Sequence, residues 1–468
     1  MSASSTLPPR PTAGAPRPYE FPAVDRSTLA NGLRLVVVPM PRLPLVTVLA
    51  LVDAGAANES AGREGVAALA ARTLAEGADG LDGAEITARF ERLGTAFDAS
   101  ADWDSSVARL TVTRSRLDEA FGLFAAVLRG ATIPEADVAR RRDERLADIA
   151  QQLAEPRGLA DERFAGFLYA GTSRYARAAS GTTASVAGLD AAAVRAFHAE
   201  HYGPRATTLI LVGDITPDDA RALAERRFGS WTGTARPASP VDAASRAAAV
   251  MAAVPGKRVV VVEKPDAPQS ELRVGHVGVA RSHPDYLAIV VMNAILGGLF
   301  SSRINLNLRE KHAFTYGASS GFDWRRGPGP FVVSTAVKSE VTGRAVEEIL
   351  REIDGLRATA PEPSEVALAT DYLAGVFPIR YESTSAVAGA LAGATMFGLP
   401  EDWFATYRDR IRAISPAEVH AAARTHLDPE RLLVLAVGDP AVIAAPLAAI
   451  GLGAVERHTS DADPAEAT

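Results

Sequence analysis

Thr208-Leu209-Ile210-Leu211-Val212-Gly213-Asp214 and Leu433-Val434-Leu435-Ala436-Val437-Gly438-Asp439 are one apolar run closed by Gly-Asp, written twice 225 residues apart. Upstream, Leu35-Val36-Val37-Val38-Pro39-Met40-Pro41 returns as Val259-Val260-Val261-Val262-Glu263-Lys264-Pro265 at an offset of 224. The helix entry Leu189-Asp190-Ala191-Ala192-Ala193-Val194 returns as Ile414-Ser415-Pro416-Ala417-Glu418-Val419, again at 225. Three landmarks at nearly one spacing identify an internal duplication. The 468 residues therefore hold two homologous halves of about 200 residues, each the size of a domain.

The boundaries follow from composition. Residues 1–22, rich in Pro, Ser and Ala, read as a disordered leader, and 456–468 as a disordered tail. Residues 232–255, rich in Ala, Pro, Ser and Gly, form the linker between an N-terminal domain over 23–231 and a C-terminal domain over 256–455. In the first half, 32–39, 46–54 and the alternating 106–113 are strands. Residues 65–76, 83–93, 117–128, 134–152 and 190–202 carry helical spacing, the last with Asp190 as N-cap. Ser415 and Glu418 form a capping box before the matching helix of the second half. Strands and helices interleave without strict βαβ alternation. The fold class is therefore α+β: two homologous α/β rolls, each a mostly antiparallel sheet covered by helices, arranged as a clam shell.

Composition excludes several functions. The absence of cysteine removes disulfide scaffolds, thiolate metal sites and cysteine nucleophiles. A formal charge of −7 argues against a general nucleic-acid binder, which normally carries a basic face. The longest apolar runs, 43–52 and 432–437, fall short of the roughly 20 residues a membrane span needs, so a soluble protein is expected. The visible N-terminus points to the cytoplasm, with the periplasm an open alternative.

Among the 8 histidines, His198 and His201 stand one helical turn apart around Glu200 and imitate a metal motif. The duplication argues otherwise: His201 returns as His426, whereas His198 corresponds to Ala423. A second cluster is Gly297-Gly298-Leu299-Phe300-Ser301-Ser302-Arg303, followed by Leu308-Arg309-Glu310-Lys311 and Tyr316. By itself it reads as a helix C-cap and a solvated charge. Paired glycines also let a peptide backbone approach closely. Arg309 and Tyr316, seven residues apart, are about two helical turns from one another and offer donors to a polarised carbonyl.

Gly-Gly-x-Phe-Ser-Ser-Arg, then Leu-Arg-Glu-Lys-x-x-x-x-Tyr, in a chain of two homologous halves, resembles the pitrilysin or insulinase family of zinc metallopeptidases. That family includes the mitochondrial processing peptidase and the core proteins of the cytochrome bc1 complex, and the resemblance runs from about residue 29 to 453. It implies that Arg309 and Tyr316 hold the substrate carbonyl, with Gly297, Gly298, Ser301 and Ser302 along the peptide path. Active members carry an inverted motif, His-x-x-Glu-His, on the first long helix, and a further glutamate completes the metal site. Here those positions are Ala68, Ala71 and Arg72, with Asp148 at the fourth. No metal is expected in this chain.

Two-subunit bacterial relatives divide the labour: one chain carries the zinc motif and the other the Arg/Tyr pair. The resemblance thus implies a non-catalytic, substrate-binding subunit of a heterodimeric zinc metallopeptidase. Its partner is a zinc-motif homologous subunit that carries the zinc, and its substrate a peptide or unfolded protein segment added along a sheet edge. The alternatives are a scaffold subunit like the bc1 core proteins, and a stand-alone peptide-binding protein.

Overall fold

The structure, a computed structural model, describes residues 18–169, 171–235 and 256–461. The N-terminal half contains β1 (Asp25–Thr28), β2 (Arg34–Pro39), β3 (Leu45–Val52), a short hairpin of β4 (Gly77–Ala78) and β5 (Leu81–Asp82), β6 (Asp98–Ala101), β7 (Ser106–Thr113) and β8 (Thr207–Gly213). The C-terminal half contains β9 (Arg258–Glu263), β10 (Gln269–Val277), β11 (Ala318–Phe322), β12 (Pro330–Lys338), β13 (Leu433–Gly438) and β14 (Val455–His458). One sheet runs β1-β2-β8-β3-β7-β6 and the other β14-β9-β13-β10-β12-β11. Five strands of each sheet, from β2 to β6 and from β9 to β11, match one for one. β8 lies parallel to β2, as β13 does to β9, and the remaining inner pairings are antiparallel. The outermost strands differ: β1 is antiparallel to β2, whereas β14 is parallel to β9.

The duplicated apolar run is continuous because both faces of each sheet are covered. Leu209 and Leu211 of β8 point into the N-terminal half's own core, while Ile210 and Val212 join the large core of the opposite half. The cover is exchanged between halves. Helix Thr384–Met396 of the C-terminal half lies on β3 and β8, with Val387, Ala388 and Leu391 buried there. Reciprocally, helix Pro156–Leu168 of the N-terminal half lies on β10 and β13. Its Leu159, Ala160, Phe164 and Phe167 form a third core with Val260, Val262, Leu433, Leu435 and Val437. Gly213 closes β8 at φ +142°, where a Cβ would stand 2.0 Å from the Leu45 carbonyl oxygen, so the glycine of the repeated Gly-Asp is sterically required there.

Two equivalent hairpin loops also meet across the joint. Arg325 lies 4.0 Å above the Trp103 ring. The Arg326 backbone N–H donates to Asp104 at 2.8 Å, and its guanidinium pairs with buried Asp53. Burial pushes the Asp104 carboxyl above its usual range.

The expected strands and helices lie where patterning places them, with Asp190 accepting from the Ala193 amide and Ser415–Glu418 forming their box. Two boundaries need correction. The expected leader, 1–22, ends in ordered chain: Tyr19 meets Phe377 edge-on and Phe21 stacks on Phe404 at 4.3 Å. Two aromatics in a Pro-rich segment can dock although they have no periodicity. The expected tail, 456–468, begins inside β14, held by a two-pronged ion pair from Arg258 to Glu456 at 2.9 and 2.6 Å. Most of the expected linker (236–255), residues 1–17 of the leader and 462–468 of the tail lie outside the described residues. One helical run, Tyr286–Lys311, is long and apolar enough to cross a membrane. Its Leu287, Ile289, Val291, Met292, Leu296 and Ile304 are buried in the C-terminal core.

Candidate active-site region

The helix Val66–Thr73, which carries the zinc-motif positions, is fixed at its start by one carboxylate. Glu59 accepts from the Gly65 and Ala67 amides at 3.0 and 2.9 Å, supplying partners that helix N-termini lack. Arg174 clasps the other Glu59 oxygen at 2.6 and 3.0 Å. Gly65 sits at φ +98° with Ser180 O only 2.8 Å from where a Cβ would lie. The helix is therefore held as firmly as a catalytic helix would need. What it presents is different.

Ala68 and Ala71 offer methyl groups. Arg72 extends to helix Glu135–Ala154, where it donates to Asp148 Oδ2 at 3.3 Å with both side chains about half exposed. Beside them is a cleft of about 650 Å³ lined by Ala71, Arg72, Glu76, Arg140, Arg141 and the edge strand at Phe97–Ala99. Glu76, nearly buried, binds Arg140 and Arg141 at 2.7 and 2.6 Å. Hydrogen bonds to Asp137 and Glu144 push the Arg140 guanidinium further up, so it stays charged. Zinc needs three ligands with available lone pairs. Two methyls and a guanidinium do not fit that ion, and the one carboxylate left is neutralised by the cation beside it.

The second region lies in the C-terminal half. Arg309 and Tyr316 do not share a helix, as their spacing suggested. The helix opens into a wide π-type turn over Leu306–Lys311 and stops; Ala313 has φ +53°, and the Phe314 amide reaches back to Leu308 O at 2.9 Å. Tyr316 lies beyond this break. Thr315 Oγ1 bonds both polar backbone groups of Gly317, at 2.9 and 3.1 Å, which locks the turn and points the phenol outward. Tyr316 is 94% exposed, and no hydrogen-bond partner for its hydroxyl exists among the described residues.

Asn305 ties the pieces together, donating to Phe300 O at 2.6 Å and accepting from the Ala318 amide at 3.1 Å. Phe300, itself 67% exposed, lies 4.7 Å from the Arg309 guanidinium, whose Nε also meets Glu310 at 3.3 Å. Of the glycine–serine stretch, Gly298 and Ser301 reach solvent. Gly297 is buried, with Ser320 of β11 occupying the space of any side chain, and Ser302 is buried at the start of the next helical turn. Arg303 is engaged by Glu365 at 2.9 and 2.7 Å.

Tyr316 stands at the mouth of a cavity of about 450 Å³. Its charged lining is Arg157 and Asp161 from the exchanged helix and Glu271 and Arg273 from β10. Arg273, 3% exposed, donates to Asp161 at 2.6 Å and to Glu271 at 2.9 Å. The sequence motif contained Phe300 without assigning it a role, and Asn305 and this quartet carried no local signal because their pairing is long-range. The Arg72 cleft and the Tyr316 cavity share no lining residue. His198 faces Leu128 O at 3.3 Å and stacks on Tyr202, and His201 packs on Phe197. Burial pushes both rings below the usual histidine range.

Residues 36–181 match the profile of the insulinase family, peptidase family M16, and residues 188–373 that of the peptidase M16 inactive domain. An uncharacterized zinc protease of Streptomyces coelicolor is 24% identical, with 86% of each chain covered. The zinc protease PqqE of Helicobacter pylori is 23% identical over 80% of this chain and 83% of that one. The crystal structure of a peptidase M16 inactive domain from Pseudomonas fluorescens superposes with a TM-score of 0.81 at 27% identity, covering 89% of this chain and 98% of that one. A chain of complex III2 from Candida albicans shares the fold, with a TM-score of 0.72 at 17% identity over 89% and 96% of the two chains. The chain belongs to peptidase family M16, as a non-catalytic member whose zinc-motif positions hold Ala68, Ala71 and Arg72.

Proposed function

We propose that this chain is the substrate-binding subunit of a two-chain peptidase, and that Arg309 and Tyr316 bind the scissile carbonyl in a site completed by a zinc-motif homologue. The observation that carries this reading is the exposure of Tyr316. An aromatic side chain 94% in solvent, on a turn locked by Thr315, contributes no packing to its own fold. Its phenol and the Arg309 guanidinium are hydrogen-bond donors that face outward. Directed at a carbonyl in a site closed by a second chain, they stabilise the charge that develops on its oxygen. Phe300 holds the guanidinium against an aromatic face, so less side-chain freedom is lost when Arg309 engages substrate. Metal chemistry in such an assembly is the partner's, since Ala68, Ala71 and Arg72 supply none. A bare scaffold would gain nothing from an exposed tyrosine on a braced turn.

The test is proximity. A peptide carrying a photoactivatable benzoylphenylalanine beside its scissile bond is bound to the mixed, chelator-inactivated complex and irradiated. Cross-links to this chain are expected within 298–317. Cross-links confined to the zinc-motif chain would overturn the reading.

A further inference from the structure

Outside the lining of both clefts, three side chains converge where two helices of the C-terminal half meet. Asp285 begins helix Tyr286–Asn293, and His426 ends helix Pro416–His426, which packs beside it. His283 lies two residues before that start. Asp285 Oδ2 is 2.8 Å from His426 Nε2 and 3.9 Å from His283 Nδ1, and the two imidazole rings stand edge to face at 4.8 Å. We propose that His283, Asp285 and His426 form a binding site for a first-row divalent transition ion of the zinc class, separate from the erased catalytic site.

The donor chemistry fits. Two imidazoles and a carboxylate make a three-ligand set for such ions, leaving a fourth position for water. The orientation of Asp285 is independent support. At an N-cap, an aspartate ordinarily accepts from amides of the first turn. The Asp285 carboxylate accepts none of them and turns instead to the two histidines. The counterpart helix of the other half begins behind Gly65, so the duplication carried over one histidine and no carboxylate.

The ligand atoms lie within 4.8 Å of one another. Ligand bonds of 2.0–2.1 Å place tetrahedral neighbours about 3.4 Å apart, so the widest separation must close by about 1.4 Å and the 2.8 Å contact between Asp285 and His426 must open by about 0.6 Å. His283 and Asp285 are the ligands free to move, being one-third and about half exposed, while His426 is almost buried and anchors the set. His283 would give up a long bond from the Asp285 amide, 3.2 Å at Nδ1. His426 would ligate through Nε2 as the neutral ring that carries its proton on Nδ1, giving up the hydrogen bond to Asp285. Neighbouring His276 stays outside the set: its Nδ1 faces Val277 O and its Nε2 accepts from the Asp428 amide. The ion would clip two helices together, and the first of these continues into the run that carries Arg309.

The experiment uses the full chain without a histidine tag, stripped with chelator and titrated with Zn²⁺ by calorimetry and with Co²⁺ by visible absorption. One ion per chain is expected. Low-symmetry cobalt bands should appear and the melting temperature should rise. His283→Ala and Asp285→Asn, both at solvent-facing positions, should each weaken binding at least tenfold, on the order of what even outer-shell changes produce. His426→Ala should abolish it. Absence of one-to-one binding in the native chain, or binding unchanged in His283→Ala and Asp285→Asn, would overturn the proposal.

Discussion

Replacing Tyr316 by phenylalanine should separate function from stability. The change removes one hydroxyl from a side chain that is 94% exposed and has no partner among the described residues. Surface changes of that kind move stability by no more than about 0.5 kcal/mol. Arg309→Ala loses a contact with an exposed ring at 4.7 Å and an exposed pairing with Glu310 at 3.3 Å, together at most about 2 kcal/mol. In the proposed two-chain enzyme, either change would remove a donor to the carbonyl oxygen. Such losses cost about 10²–10³ in turnover, or about 3–4 kcal/mol of transition-state stabilisation. The catalytic effect should thus exceed the folding effect, several-fold for Tyr316→Phe. Urea unfolding of each purified variant measures the second. Turnover of an internally quenched peptide by the variant mixed with the zinc-motif homologue measures the first. Normal turnover by both variants would refute the assigned role, and a loss of more than about 2 kcal/mol of stability on Tyr316→Phe would refute the structural premise.

Other consequences are testable without a partner. Arg174→Ala leaves Glu59 with its carboxylate buried and its charge uncompensated; a loss of about 3–5 kcal/mol is expected in urea unfolding. Leu159→Ala and Leu391→Ala each open a cavity between an exchanged helix and the opposite sheet, costing about 2–5 kcal/mol. Because each helix belongs to both halves, a single shared unfolding transition should shift, as read by fluorescence and circular dichroism together. Acid should weaken the docking of β14. The hydrogen bond from Arg258 holds the Glu456 carboxyl below its ordinary value of 4.5, so its contribution is complete above that value. It is lost as pH falls through the lowered value. Glu456→Gln should flatten the decline of stability with pH below about 4.5, measured by thermal melts across pH.

The duplication was legible because repetition needs no knowledge of packing. Leu35–Pro41 and Val259–Pro265 fixed the homology of β2 and β9, and with it the shared order of five strands. The exchange of helices was not legible. The buried residues Leu159, Ala160, Arg163, Phe164 and Phe167 lie along one side of the helix, but the stripe contains a charged arginine and a small alanine, so hydrophobic patterning does not mark it as a buried face. Its partner sheet lies in the other half, a relation that local periodicity does not encode. At the zinc-motif helix, sequence showed which residues replace the ligands, while the Arg72–Asp148 contact across 76 residues came from the structure. At the second region, the seven-residue interval suggested helical geometry, and Ala313 broke it with a positive φ that is rare for residues other than glycine. His283, Asp285 and His426 escaped sequence reading for the same reason as Arg72–Asp148: 141 residues separate the last two.

In the proposed reading, this chain works only as part of an assembly. Peptide cleavage should be measured for the isolated chain, for a zinc-motif homologue from the same source, and for the two mixed, each with and without chelator. The account predicts no cleavage by the isolated chain and chelator-sensitive cleavage by the mixture, rising to a plateau at one-to-one stoichiometry. Chelator-sensitive cleavage by the isolated chain would contradict it.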